Sequence, residues 1–291
     1  MSGSIRVASS PGEVQVAVVD GSRLLDFSLW RPGAPDGVGD VHRGRVIALV
    51  PAMAGAFVAL ADAEGFLPDS EGAKGLTAGT VLTVRVTRAA QGDKGPRLTA
   101  KVDPAEGPVG LVRRGPDPVR RFAERYPDVP VVVDDAGVAA ALGMGTVSAR
   151  VFDEEIAEAI EALGRPVVEL TGGATLSIWP TPALVAIDVD AGGLVVGGSG
   201  DARGRHEALN RTILPAVGEQ IRLRNLSGGI VVDLAGLSPR KRAALGPDFV
   251  AALANDPLRP RFLGFTALGL AEIVRSRVHP PLHELLAWPL A

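Results

Sequence analysis

Two apolar runs in the chain carry carboxylates at their ends. ALVAIDVD (183–190) closes on Asp188 and Asp190, and GGIVVDLAG (228–236) runs apolar up to Asp233. If these runs are neighbouring strands, the carboxylates converge at one edge of a sheet. Hard oxygen ligands at strand ends suit Mg²⁺, which keeps several waters and supports phosphodiester chemistry. An aspartate at a strand end also caps a following turn or helix, so either residue alone says little and the pair says more.

Other candidates carry less weight. The glycine-rich stretch GGLVVGGSGDARGR (192–205) lacks the GxxxxGK[ST] and GxGxxG spacings, so it reads as a surface loop rather than a nucleotide cradle. His279 and His283 stand four apart, but Pro280 and Pro281 lie between them and break the helix that would pair them on a metal. Phe57 and Phe66 fall on consecutive strand runs of a chain with only 4% aromatic residues. Such rings are either core or stacking platforms for single-stranded bases. Arginine clusters at Arg113–Arg114, Arg120–Arg121, Arg222 and Arg224, and Arg240–Lys241–Arg242. Singly, each reads as solvated surface charge.

The elements that must position these residues follow from local pattern. EVQVAVVDGSRLLDFSL reads as a hairpin turning at Asp20-Gly21. Residues 41–98 carry four or five short strands punctuated by glycine, the pattern of a small barrel. DPVRRFAERY, AGVAAAL and FDEEIAEAIEALG are helical. In the last, Ile156, Ala159, Ile160 and Leu163 share a face. VVVDD (131–135) is a short strand. Residues 175–190 and 229–234 carry buried-strand runs with a largely helical stretch before Leu223, an α/β unit. LGLAEIVRSRV reads as a closing helix.

Bulk properties set limits. The 291 residues, 46% hydrophobic and 22% charged, suit about two domains or one domain with an insertion. No apolar run approaches a membrane span, no signal-peptide pattern opens the chain, and a cytoplasmic location is expected. The absence of cysteine excludes disulfides and thiolate metal sites within this sequence. With 30 basic and 33 acidic residues the net charge is −3, which argues mildly against a nucleic-acid partner without excluding a local basic face.

Several stretches together resemble the ribonuclease E/G family. GDVHRGRVIALVPAMAGAFVALADAEGFLP and DKGPRLTA resemble its RNA-binding OB-fold module. SIWPTPALVAIDVDAGG and EQIRLRNLSGGIVVDLAGL resemble the segments that deliver its two metal-binding aspartates. LGFTALGLAEIVRSRVHPPL resembles its closing helix. The matches are ordered and run nearly end to end.

The resemblance implies an α+β multidomain architecture: a ribonuclease-H-like fold interrupted by an OB-fold barrel, followed by a DNase I-like α/β catalytic domain. Expected boundaries are 1–37 and 102–166 for the two ribonuclease-H-like parts, 38–101 for the barrel and 167–291 for the catalytic domain. Asp188 and Asp233 are implied as catalytic metal ligands, and Asp190 as a third carboxylate where the family usually has asparagine. Phe57, Phe66 and Lys94 fall on positions expected to hold single-stranded RNA, and Arg43, Asn210, Arg222 and Arg224 are read with them. The implied activity is Mg²⁺-dependent endonucleolytic cleavage of single-stranded RNA, with Mn²⁺ as a substitute ion; the competing reading is a non-catalytic RNA-binding protein. Only about ten residues separate Ala100 from the second ribonuclease-H-like piece, which leaves no room for the family's 5′-monophosphate sensor. The family's zinc-linking cysteine pair is missing too, so no zinc is expected, while a homodimer through the catalytic domain stays compatible. The two aspartates stand 45 positions apart, slightly more than the family pattern.

Overall fold

The computed structural model describes residues 3–170, 173–192 and 202–286. The chain opens with β1 (Gly3–Ser10), β2 (Glu13–Asp20) and β3 (Arg23–Trp30). Gly21 and Ser22 make the β2–β3 turn, one position later than the expected pair, and Gly21 takes a positive φ of 61°. β1 was not anticipated, because its polar ends blur the alternation.

Six strands follow: β4 (Val41–Val50), β5 (Gly55–Ala59), β6 (Glu64–Pro68), β7 (Val81–Arg88), β8 (Arg97–Thr99) and β9 (Gly110–Arg113). They run in the order β5-β6-β8-β7-β4-β9, and an additional β5–β4 pairing closes five of them into an OB-like barrel. Strand alternation fills its interior with Val46, Ala56, Val58, Leu67, Val84, Val86 and Leu98. Helix α1 (Pro118–Arg125) starts at Asp117, whose side chain accepts from the Arg120 amide as an N-cap.

Beyond it come β10 (Val131–Val133), α2 (Ala136–Leu142), β11 (Thr146–Val147) and α3 (Glu154–Ala162). β10 pairs in parallel with β1, so a five-stranded sheet β11-β10-β1-β2-β3 joins segments from both sides of the barrel in sequence. Ile156 and Ile160 of α3 pack with Ala17, Val19 and Leu24 of that sheet, as the helical spacing predicts.

The chain then forms β12 (Val167–Glu169), β13 (Thr175–Pro180), β14 (Val185–Asp190), α4 (Ala202–Leu223), β15 (Gly228–Asp233), α5 (Pro239–Ala243), α6 (Gly246–Leu253), β16 (Arg261–Phe265), β17 (Ala271–Arg275) and α7 (Leu282–Leu285). The six strands make one sheet in the order β12-β13-β14-β15-β17-β16, antiparallel except where β14 and β15 run parallel around the α4 crossover. The buried-strand stretch expected over 175–190 is two strands joined by a turn in which Thr181 Oγ1 donates to the Leu184 carbonyl at 2.7 Å. One sheet face is closed by Ile213, Leu214, Val217 and Ile221 of α4 and by Phe249 and Leu253 of α6.

The expected closing helix is instead the strand β17. Its composition favours helix, but Ala271, Ile273 and Arg275 alternate as buried positions, and pairing with β15 satisfies its backbone. Contacts divide the chain into two compact units. One holds residues 30–127 with 278–280, the other holds the two open sheets and their helices. No helix among the described residues is long and apolar enough to cross a membrane.

Candidate active site

β14 and β15 are registered so that Asp188 stands beside Asp233. The same register pairs Val185 with Ile230 and Ile187 with Val232, all buried on the helix-covered face. Alternation therefore turns both aspartates to the opposite, exposed face, with Asp190 two residues further on the same side. Both lie toward the carboxyl ends of parallel strands flanking a helical crossover, where open α/β sheets place their ligands. Neither Asp188 nor Asp233 accepts a hydrogen bond among the described residues.

Desolvation raises the Asp188 carboxyl above its ordinary range, and the negative charges of Asp233 and Asp190 raise it further. Asp190 Oδ1 accepts from the Gly192 amide at 2.9 Å, the turn-capping role that a strand-end aspartate can take. Two exposed, mutually repelling carboxylates, neither hydrogen-bonded among the described residues, fit a hydrated divalent cation, which needs few protein oxygens. Among the described residues no group of three or more His, Cys, Asp or Glu gathers closely enough to hold a metal ion, so the fit rests on the Asp188–Asp233 pair. Part of the glycine-rich stretch, residues 193–201, lies outside the described residues.

Arg242, at the end of α5, places Nη2 3.8 Å from Asp233 Oδ1. In sequence it belonged to the Arg240–Lys241–Arg242 cluster, which gave no sign that one member returns to the carboxylates.

Three residues grouped with RNA contacts are placed inside the sheet unit. Asn210 is fully buried and donates its amide to the Ala235 carbonyl at 2.9 Å, which steadies the chain just after Asp233. Arg224 is 1% exposed and donates to Gln220 Oε1 and to the carbonyls of Arg165 and Ala162. Burial lowers its pKa to about 10, which leaves it charged at neutral pH. Arg222 donates to the Leu25 carbonyl at 3.0 Å and pairs with Asp26 at 3.4 Å. All three serve internal ties rather than an outward RNA face. α4 and the residue after it turn these side chains toward the core, which their polar type did not suggest.

In the barrel, Phe57 and Phe66 are directly registered on β5 and β6, with ring centroids 5.6 Å apart edge to face. Both are half-buried on the outside of the wall, since their neighbours Ala56, Val58 and Leu67 fill the interior. The rings are therefore not part of the barrel core. Gly55 lies beneath Phe66, where a Cβ would come 2.5 Å from the ring's Cζ. Lys94 is exposed in the tight turn bridged by Gln91, just before the residue pair Pro96–Arg97 that bonds to Phe66. Arg43 is half-buried and donates through Nη1 to the Ala105 carbonyl. His279 contacts Asp36 through Nδ1 at 2.5 Å, and His283 is buried on α7, so the two stand on different elements.

A family model described as "Ribonuclease E/G family" matches residues 143–278, the stretch that contains both aspartate strands. That stretch is similar to the ribonuclease E/G family. It is 34% identical over 132 residues to a Ribonuclease E of Synechocystis, covering 44% of this chain and 19% of that protein. A Ribonuclease E of Nostoc is 36% identical over 126 residues, covering 43% and 18%. The Ribonuclease E of Escherichia coli is 23% identical over an alignment of 396 residues, covering 95% of this chain and 37% of that protein. The chain thus spans well under half the length of these relatives.

Proposed function

We propose that this chain is a metal-dependent endoribonuclease that cleaves single-stranded RNA. The observation that carries the reading is the registered pair Asp188–Asp233 on an exposed sheet face, within the stretch shared with the family. In this reading residues 38–101 are an RNA-binding OB module, 1–37 and 102–166 a ribonuclease-H-like fold, and 167–291 a DNase I-like catalytic domain. The split sheet that joins β1 to β10 supports the interrupted arrangement. A cytoplasmic setting and a homodimer through the catalytic domain accompany it.

Bound at Asp188 and Asp233, Mg²⁺ would supply Lewis-acid polarisation of the scissile phosphate and a water of lowered pKa. The two carboxylates hold the ion's place and keep the face anionic enough to select a cation. Hydrolysis forms a bond from water oxygen to phosphorus and breaks the P–O3′ bond. The proton lost by water ends on O3′, leaving a 3′-hydroxyl and a 5′-phosphate. Phe57 and Phe66 offer stacking faces and Lys94 a charge for the strand, a mode that tolerates any base. The alignment with the E. coli relative is longer than this chain, which supports an intervening segment, the 5′ sensor, being absent here.

The test is cleavage of an unstructured RNA in Mg²⁺ by wild type, Asp188→Asn and Asp233→Asn, with end mapping. Wild type should cut and both variants should not. Wild type cutting no better than the variants would overturn the reading. Substrates with 5′-monophosphate and 5′-hydroxyl ends should be cut at similar rates. A second reading, an RNA-binding protein without turnover, is favoured by the outward Phe57–Phe66 pair, which needs no metal. It predicts salt-sensitive binding with no Mg²⁺-dependent products.

A further inference from the structure

Arg242 is held in place by the turn between β16 and β17. Its Nη1 donates to the carbonyls of Gly269 at 2.6 Å and Leu268 at 3.4 Å, in the turn between β16 and β17. Gly269 adopts φ +87°, and a Cβ there would collide with the guanidinium, so the glycine is part of the socket. The side chain is only 16% exposed. Its other terminal nitrogen, Nη2, faces Asp233 Oδ1 at 3.8 Å, an ion-pair distance too long for a hydrogen bond. Nη2 donates to no other described residue.

A guanidinium held rigidly from behind, with one amino edge open beside a carboxylate pair, is a preorganised donor for an anionic oxygen. The charges of the face say why one is needed. Asp188, Asp190 and Asp233 bring three negative charges to the same side of the sheet, and a divalent cation offsets two. A phosphodiester would then meet residual negative charge, which one arginine cancels.

We propose that Arg242 is the phosphate-orienting residue of this site: its charge offsets the third carboxylate, and Nη2 donates to a non-bridging oxygen of the scissile phosphodiester. This rests on the nuclease reading above. The experiment compares full-length wild type, Arg242→Met and Arg242→Lys. Free Mn²⁺ is followed by electron paramagnetic resonance, and single-turnover cleavage of an unstructured RNA is measured at saturating Mn²⁺.

Removing a unit charge about 6 Å from a divalent cation in a high-dielectric setting should tighten Mn²⁺ binding in Arg242→Met roughly tenfold. Losing the donor should slow cleavage by roughly 100-fold. Arg242→Lys, which keeps charge but loses the fork, should bind Mn²⁺ like wild type and cut more slowly than it. If the Met variant fails to fold by circular dichroism, the Lys variant carries the test alone, with a rate at least about tenfold below wild type expected. Unchanged or weaker Mn²⁺ binding in a folded Met variant would mean that Arg242 merely props Asp233, and overturns the proposal. So does cleavage by either folded variant at the wild-type rate. A wild type that binds Mn²⁺ but cuts no RNA overturns the nuclease reading itself, a different result from these.

Discussion

Replacing Arg275 with methionine tests how the strand that carries Asp233 is anchored. Arg275 and Asp256 are 3% and 2% exposed as side chains and form a forked pair, Nε to Oδ2 at 2.7 Å and Nη2 to Oδ1 at 3.3 Å. Arg275 Nη1 also donates to Asn225 Oδ1 at 2.6 Å and to the Leu226 carbonyl at 3.1 Å, tying β17 to the residues that lead into β15. Methionine fills most of the volume, so the main loss is electrostatic. Asp256 would keep only its bond from the Leu258 amide at 2.8 Å and stand as a buried charge without a counterion. That costs about 3–5 kcal/mol, whereas replacing both partners with apolar groups is about neutral or stabilising. Urea unfolding, followed by far-ultraviolet circular dichroism, should show the single variant destabilised by that amount. Arg275→Met/Asp256→Leu should recover most of it. A loss below about 1 kcal/mol, or a double variant no better than the single, would refute the claim that an uncompensated charge sets the cost.

Other expectations are simpler to check. Asp188 has a raised pKa in the fold, so its contribution to stability is greatest in acid and declines as pH rises through that raised value. Asp188→Asn should therefore melt no lower than wild type at pH 7 in chelator, with any advantage vanishing in acid; a lower melting point at pH 7 would contradict the repulsion described. His283 is pushed down to about 4 by burial and by Arg277, so stability should fall by roughly 3 kcal/mol as pH drops from about 6.5 to 4. In His283→Gln that slope should flatten, and an unchanged acid limb in urea titrations would count against it. Phe57→Ala and Phe66→Ala should each weaken binding of single-stranded RNA by about 1–3 kcal/mol in fluorescence anisotropy. Because the rings lie outside the barrel core, thermal melts should change little.

What could be read in the sequence was what local physics controls. The face shared by Ile156, Ile160 and Leu163 follows from a period of 3.6, and the barrel strands from period-two runs cut by glycine. The ALVAIDVD and GGIVVDLAG runs announced two strands with terminal carboxylates. LGLAEIVRSRV misled because leucine, alanine and glutamate favour helix locally, while the β15 edge offered β17 a ladder that local preference could not register. Arg222, Arg224 and Asn210 misled for a related reason: polar type suggests solvent, and only packing shows that each meets buried carbonyls.

By itself, then, the sequence determined most of the barrel strands, the α3 face, the carboxylates that are candidates, and a resemblance to one family over part of the chain, since these depend on neighbours a few residues away. The tertiary structure decided that Asp188 and Asp233 share a register and a face, that Phe57 and Phe66 meet outside the barrel wall, and that Arg242 returns to Asp233 from a socket at Gly269. Those placements depend on strand order and pairing between distant segments, set by burial and backbone hydrogen bonding across the whole sheet rather than by any local run of residues.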